Sequence, residues 1–409
     1  MTKQLARRAL LCAIASSAIG LSGCVAQADT AQAKIAPLAV AERAVPSAAF
    51  PVTLLKTPNG GIQPQAALDA EGTLHLIYFR GEPLAGDIFY IRSTDGASTW
   101  SAPLRVNSQP SSAIAMGTIR GAQIAIGKGN SVHVAWNGSQ SAEPKGAGGT
   151  PMLYARLNSR GTAFEPQRNL VTWAGGLDGG GTIASDATGR IYVAWHAAPE
   201  GKDESERAVY LARSTDNGAT FEREKRINPQ PTGACGCCQM RAFVDDKGTL
   251  SILYRAAGGN INRDSTLLVS GDKGNSFKNT MLQPWQIAMC PMSSFALAQG
   301  KTGLLAAWET DDQIYLSTVQ AATGKFNAPS KAPGQSKASK HPVLAANAAG
   351  QVLMAWTENT GWNQGGSLAW QIYGADGQPT ELKGRAEGVP VWGSLSAISR
   401  PDGGFTLLY

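Results

Sequence analysis

From Phe50 onward the apolar residues fall on alternate positions in short runs, and no stretch keeps the spacing of an amphipathic helix. The runs recur. "GTLHLIYF", "NSVHVAWN", "GRIYVAWH", "GTLSILYR", "TGLLAAWE", "GQVLMAWT" and "GGFTLLY" each leave a turn carrying Gly or Asn and alternate up to an aromatic. Those aromatics are Tyr78, Trp136, Trp195, Tyr254, Trp308, Trp356 and Tyr409, separated by 58, 59, 59, 54, 48 and 53 residues. Spacing this regular marks a repeat architecture. Ahead of each run lies another short apolar segment, such as "AALDA", "AQIAI" or "RAFVD", joined to it by a turn such as Asp69-Ala70-Glu71-Gly72. The pair reads as a β-hairpin.

A third strand, such as "DIFYIRST" or "AVYLARST", and a fourth, such as "APLRVNS", follow in the first six repeats. Four antiparallel strands per repeat form the blade of a β-propeller, whose faces are buried only by neighbouring blades. The fold expected is therefore all-β, with seven four-stranded blades, or six if the terminal hairpin merely completes another blade. That hairpin has two strands by Tyr409, while a spare strand, "FPVTLLK", precedes the first repeat. Residues 51–56 are expected to join it and close the ring.

Between third and fourth strands stand "STDGASTW" (Ser93–Trp100), "STDNGATF" (Ser214–Phe221) and "SGDKGNSF" (Ser270–Phe277). They resemble the Asp box, S-x-D-x-G-x-T-W, of the sialidase superfamily. Asp95, Asp216 and Asp272 can accept hydrogen bonds from turn amides, the Gly permits a positive φ, and the aromatic packs back into the blade. The resemblance implies a sialidase-like propeller over residues 50–409. It also implies that these boxes are structural, on the face away from any active site.

The first residues add a compartment. A basic "MTKQLARR", a short apolar "ALLCAIASSAIGL" and "LSGC" follow one another, resembling a bacterial lipoprotein signal with its lipobox at Leu21-Ser22-Gly23-Cys24. This implies a signal peptide over 1–23, lipidation of Cys24, and a tether over 24–49. The expected location is the bacterial cell envelope, lipid-anchored, with the outer membrane favoured by Val25. Losing Lys3, Arg7 and Arg8 with the leader lowers the formal charge from +6 to +3. Such a balance leaves no electrostatic footprint for nucleic acid.

Ligand chemistry in a propeller gathers where loops approach the innermost strands and leave the second strands. The repeat places Gln63, Gln65, Arg120, Asp178, Arg241, Ser293, Ser294, His341 and Trp392 on the first set of loops. Arg80, Glu82, Asn137, His196, Arg255, Glu309, Thr357 and Glu358 fall on the second. From these, Asp178, Arg120, Arg241, Arg255 and Glu309 are the catalytic candidates, and Arg80, Asn137, His196, His341 and Trp392 the ligand-binding ones.

The resemblance implies three carboxylate-binding arginines and a Glu-polarised Tyr nucleophile, but the first blade reads "GGIQPQAAL", with Gln63 where the family has arginine. A neutral amide does not replace a bidentate guanidinium. Any activity would be that of an exo-acting glycoside hydrolase with its first motif broken. The partner expected is a glycan or other small ligand, acidic sugars being favoured by the arginines, with Trp392 or Trp285 as a stacking surface. A non-enzymatic scaffold for another envelope protein is the alternative.

Four cysteines remain beyond the leader and Cys24. "CGCCQMRAF" leads into the inner strand of the fourth blade and "AMCPMSSFA" into that of the fifth. Equivalent positions in neighbouring blades bring Cys290 beside Cys235, Cys237 and Cys238. Two disulfides are expected in an oxidising compartment, Cys290 with one of the three and the other two together. The alternative is a soft-metal site for copper or zinc, with Met240, Met289 and Met292 nearby.

Overall fold

The computed structural model describes residues 51–409 apart from 147, 200 and 335–337. The leader, Cys24 and the tether lie outside the described residues. Seven separate sheets follow one another along the chain. Their innermost strands are Ile62–Leu68, Gln123–Ile126, Thr182–Ser185, Arg241–Val244, Phe295–Gln299, Ser339–Ala346 and Ser396–Ser399. Each touches the next, and the last touches the first, which makes a closed ring of seven blades. Among the described residues no helix is long and apolar enough to cross a membrane.

The alternation of the sequence becomes seams between blades. Blades 1 and 2 share a core in which Ile77, Phe79 and Tyr90 meet Val134, Trp136 and Leu153. Blades 2 and 3 share Met152 and Tyr154 with Val193, Trp195 and Tyr210. The same sharing joins Tyr192 and Leu211 to Ile252 and Leu268, and Leu253 and Leu267 to Trp308. Trp136, Trp195, Tyr254, Trp308 and Trp356 are all at most 2% exposed, so the repeat's aromatics are seam residues, Tyr254 included. Burying rings of this size stabilises each seam by about 2–3 kcal/mol per side chain.

Five blades have four antiparallel strands in sequence order. In blade 5 the outer position is split between Lys325–Phe326 and Ser330–Lys331, both paired with Gln313–Gln320. Blade 7 is the terminal hairpin joined by the N-terminal strand, as expected. It has three strands, and its third, Val52–Leu55, lies parallel to Phe405–Leu408. The direction follows from where that strand leads, since it must run straight on into blade 1. The closure is tied by Thr57 N donating to Tyr409 O at 2.7 Å and Tyr409 N donating to Leu55 O at 3.0 Å.

The three Ser-x-Asp-x-Gly turns adopt one geometry. Ser93 Oγ donates to Asp95 Oδ1 at 2.7 Å, and Asp95 accepts from Thr99 N at 2.9 Å and Thr99 Oγ1 at 2.6 Å. Asp216 repeats this with Ser214 and Thr220, and Asp272 with Ser270 and Ser276. These bonds hold the Asp95 and Asp216 carboxyls down at about 2. The acids are fully used by their own turns.

Candidate functional site

The mouth of the ring is covered. Residues 106–122, joining blades 1 and 2, fold over it instead of crossing directly. Ala113 and Gly86 exchange backbone hydrogen bonds at 3.0 and 2.9 Å, and Ala115 N donates to Pro83 O at 2.8 Å. Gln63, in the left-handed region at φ 53°, donates from Nε2 to Ala115 O at 2.7 Å and Trp392 O at 2.9 Å. The neutral amide that replaces the family's arginine is thus a buried clamp between the cover and blade 7. Beneath it, Gln63, Gln239, Ser294, His341 and Ser394 surround an axial cavity of only 20 Å³, room for about one water.

At the edge of this cover three side chains converge. Gly117 has φ 86°, and a Cβ placed there would lie 2.5 Å from Arg120 Nη1, 3.2 Å from Met292 Cε and 3.5 Å from the Trp362 ring. Trp362 is 59% exposed and meets the buried Trp392 edge to face, centroids 4.8 Å apart. Arg120 Nη2 lies 2.6 Å from Asp178 Oδ1, and its Nε donates to Asp178 O at 2.8 Å. Asn137 supports the same loop by donating to Gly179 O at 2.6 Å. The sequence-expected Trp392 is therefore the backing of the aromatic surface, and Trp362 its open face.

Two of the other candidate arginines, Arg241 and Arg255, are committed to partners inside the protein. Arg241 reaches across the axis, donating to Gln65 Oε1 at 2.9 Å and Gln123 Oε1 at 3.1 Å. Burial away from any acid lowers it to about 10. Arg255 is 1% exposed; it donates to Ser293 Oγ at 2.8 Å, to Arg263 O at 2.7 Å and to Glu309 O, beneath Trp285. Arg80 is exposed on blade 1, over Phe89.

A second cluster occupies the blade 4–5 corner. Cys290 forms a disulfide with Cys237, one of the three partners that the equivalence of their positions left open. The expected second disulfide is not formed. Cys235 and Cys238 are free thiols, 2% exposed each, with sulfurs 3.2 Å apart. Their spacing, Cys235-x-x-Cys238, is a C-x-x-C that the intervening Cys237 hides in the sequence. The Cys235, Cys237 and Cys238 sulfurs lie within 4.8 Å of one another, a set of soft donors suited to copper or zinc once Cys237 is reduced. Of the expected thioethers, Met292 packs against the cysteines, whereas Met240 sits in the blade 3–4 seam and Met289 is 65% exposed.

Ionisable groups surround this corner, Glu204, Arg263 and Lys340 among those the sequence did not single out and Glu309, His196 and His341 among those it did. Glu204 pairs with Arg263 and accepts from Gly236 N at 2.7 Å. Glu309 accepts from Lys340 Nζ at 2.8 Å, and Lys340 also donates to Pro291 O at 3.2 Å. Burial raises the Glu309 carboxyl to about 7 against the pull of Lys340 and Arg255. His196 is buried with neither ring nitrogen hydrogen-bonded, and burial with Arg207 and Arg120 nearby keeps it neutral. His341 holds Ser294 Oγ at 3.1 Å and is lowered to about 3 by burial. Five of the thirteen unpaired buried side-chain polar atoms among the described residues belong to His196, Arg207, Arg263 and Glu309. Such concentration marks a site built for more than packing.

The largest cleft described, 810 Å³, opens instead on the opposite end, between the turns of blades 1 and 2, where His75, Arg92, Lys128 and Arg156 face Asp69 and Glu165.

Neither a family model nor a curated protein sequence matches the chain. Solved structures do resemble it. The NanB sialidase of Streptococcus pneumoniae matches with 8% identity and a TM-score of 0.48, over 73% of this chain and 65% of that one. The α-L-arabinofuranosidase of Fusarium graminearum matches with 14% identity and 0.47, over 80% and 93%. The Aleuria aurantia lectin in complex with a fucosylated sugar matches with 12% identity and 0.48, over 81% and 96%. At such identities the likeness is one of fold. The seven-bladed ring rests on the strand pairing of the chain itself.

Proposed function

We propose that the protein is an exported, lipid-anchored propeller that binds a neutral glycan at the edge of its covered mouth. The observation that carries this reading is the convergence of the exposed Trp362 ring, Met292 and the Arg120–Asp178 pair around Gly117. An open aromatic face accepts the apolar side of a sugar ring, while a carboxylate and a guanidinium beside it accept from and donate to adjacent hydroxyls.

Binding, not hydrolysis, is the activity proposed. Arg255 spends its donors on protein oxygens, Arg241 is held by Gln65 and Gln123 inside an axial cavity with room for about one water, and Arg120 is paired with Asp178, which disfavours the acidic sugars expected from the arginine count. Lipidation at Cys24 and attachment to the outer membrane belong to the same proposal and rest on the lipobox. Calorimetric titration of the soluble domain with neutral and acidic oligosaccharides tests the site. Trp362→Ala is expected to weaken neutral-glycan binding about tenfold. Binding that survives this change undiminished, or that selects acidic sugars, removes it.

A further inference from the structure

The four cysteines are arranged in depth. Cys290 is exposed, Cys237 is 7% exposed, and Cys235 and Cys238 are 2% exposed behind them. The Cys235 sulfur lies 3.4 Å from that of Cys237 and 3.2 Å from that of Cys238. A buried thiol thus stands beside the inner sulfur of a disulfide whose outer sulfur faces solvent. Two static staples would not need this order, and a merely structural disulfide needs no thiols behind it.

We propose that this corner is a thiol–disulfide relay, in which the Cys237–Cys290 disulfide passes inward to Cys235 and Cys238 and delivers a reactive Cys290 thiol to the surface. In the first step the Cys235 sulfur attacks the Cys237 sulfur. The Cys235–Cys237 bond forms, the Cys237–Cys290 bond breaks, and its electron pair leaves with Cys290 as a thiolate. The Cys235 proton passes to Cys238. In the second step the Cys238 sulfur attacks Cys235, forming Cys235–Cys238 and returning the proton to the departing Cys237. One disulfide and two reduced cysteines are present before and after, so no outside oxidant or reductant is consumed.

The surroundings suit these roles. The Arg255 guanidinium donates to Ser293 Oγ at 2.8 Å, and the Cys235 sulfur lies 3.2 Å from that of Cys238. Ser293 Oγ lies 3.3 Å from the Cys238 sulfur. Cys238, with the Ser293 hydroxyl beside it and Arg255 bonded to that hydroxyl, is therefore placed to receive the Cys235 proton. Thiolate beside thiol beside disulfide is the arrangement exchange requires. The surface Cys290 thiolate would then attack a disulfide of an exported partner molecule, forming a mixed disulfide while the partner's other sulfur leaves as a thiolate.

The test uses the complete mature domain without added reductant. N-ethylmaleimide is applied to the native protein, and labelled and disulfide-linked peptides are mapped by mass spectrometry. Wild type is expected to acquire label at Cys290, with the surviving disulfide joining Cys235 to Cys237 or Cys238. Cys235→Ser is expected to label Cys290 about tenfold more slowly or not at all, since its attacking sulfur is gone. The wild-type map needs no variant, so a misfolded Cys235→Ser does not blunt it. Native protein that labels only after denaturation, with Cys237–Cys290 intact, overturns the relay. So does native protein containing four thiols and a stoichiometric zinc or copper ion.

Discussion

The Glu309 carboxylate sits 2.8 Å from the Lys340 ammonium, itself hydrogen-bonded to Pro291 beside the exposed Cys290. Glu309 is fully buried and one of its oxygens has no partner, which explains why burial outweighs the ion pair and raises the carboxyl from 4.5 to about 7. A raised acid costs stability as pH climbs, because the folded state holds a proton that the unfolded chain has already released. The cost begins above pH 4.5 and is complete above about 7.

Glu309→Gln removes this titration. The variant's unfolding free energy, relative to wild type, is expected to rise by about 2–3 kcal/mol between roughly pH 5 and 8. The absolute value also carries the loss of the Lys340 contact, so the slope with pH is the quantity to read. Denaturant melts across that range decide it. A difference that stays flat would mean Glu309 is already ionised at low pH and the pair is an ordinary buried salt bridge.

The histidines pull the other way. His75, His133, His196 and His341, all four in the chain, are buried and lowered from 6.5, with His133 and His341 at about 3. Each is neutral in the fold, so the unfolded chain takes up protons first as pH falls. Stability is complete above pH 6.5 and is lost below it, by about 1.4 kcal/mol per pH unit for each histidine. His133 packs between Ser131 Oγ at 2.8 Å and Tyr154 Oη at 2.7 Å. His133→Asn is expected to reduce the slope of stability between roughly pH 4 and 6 by one proton's worth. An unchanged slope would place the acid sensitivity elsewhere.

How far the sequence carried is visible in particular residues. The seam aromatics, the closing strand and the meeting of Cys290 with Cys235, Cys237 and Cys238 all follow from one repeat register. Equal positions in neighbouring blades must be neighbours in space. The cover over the mouth does not repeat; it is held partly by backbone carbonyls of Pro83, Gly86 and Ala115 and partly by the Gln63 and Asp87 side chains, whose partners in it no repeat register indicates. The arginines misled for a related reason. Their residue type is visible in the chain, but half of their acceptors are main-chain oxygens, of Met116, Asp178, Arg263 and Glu309, and the others are side chains that only the fold brings within reach. Which sulfur pairs with Cys290 is decided by loop geometry at the scale of a few ångströms. Trp362 stands outside the seven aligned runs, in the loop between the second and third strands of blade 6, and only the cover brings it beside Arg120.

The same register makes the closing strand a point of failure. Val52–Leu55 completes blade 7, and Leu54 packs into the seam formed by Ala355, Leu368, Val389 and Leu407. Arg400 Nη1 also bonds Thr53 Oγ1, and Lys56 Nζ reaches Gly388 O at 2.7 Å while lying 3.8 Å over the Tyr409 ring. Without residues 51–56, Phe405–Leu408 would become an unpaired edge and blades 7 and 1 would lose their shared apolar contacts. A mature domain shortened to begin at Thr57 is expected to melt about 10 °C lower than one beginning at Phe50, and to associate through its open edge. Scanning calorimetry with light scattering checks both. Leu54→Asp, which keeps the strand but puts a charge in the seam, should lower the melt without exposing the edge. If both proteins melt like the parent, the ring is held by the other six blades and the N-terminal strand is ornament to it.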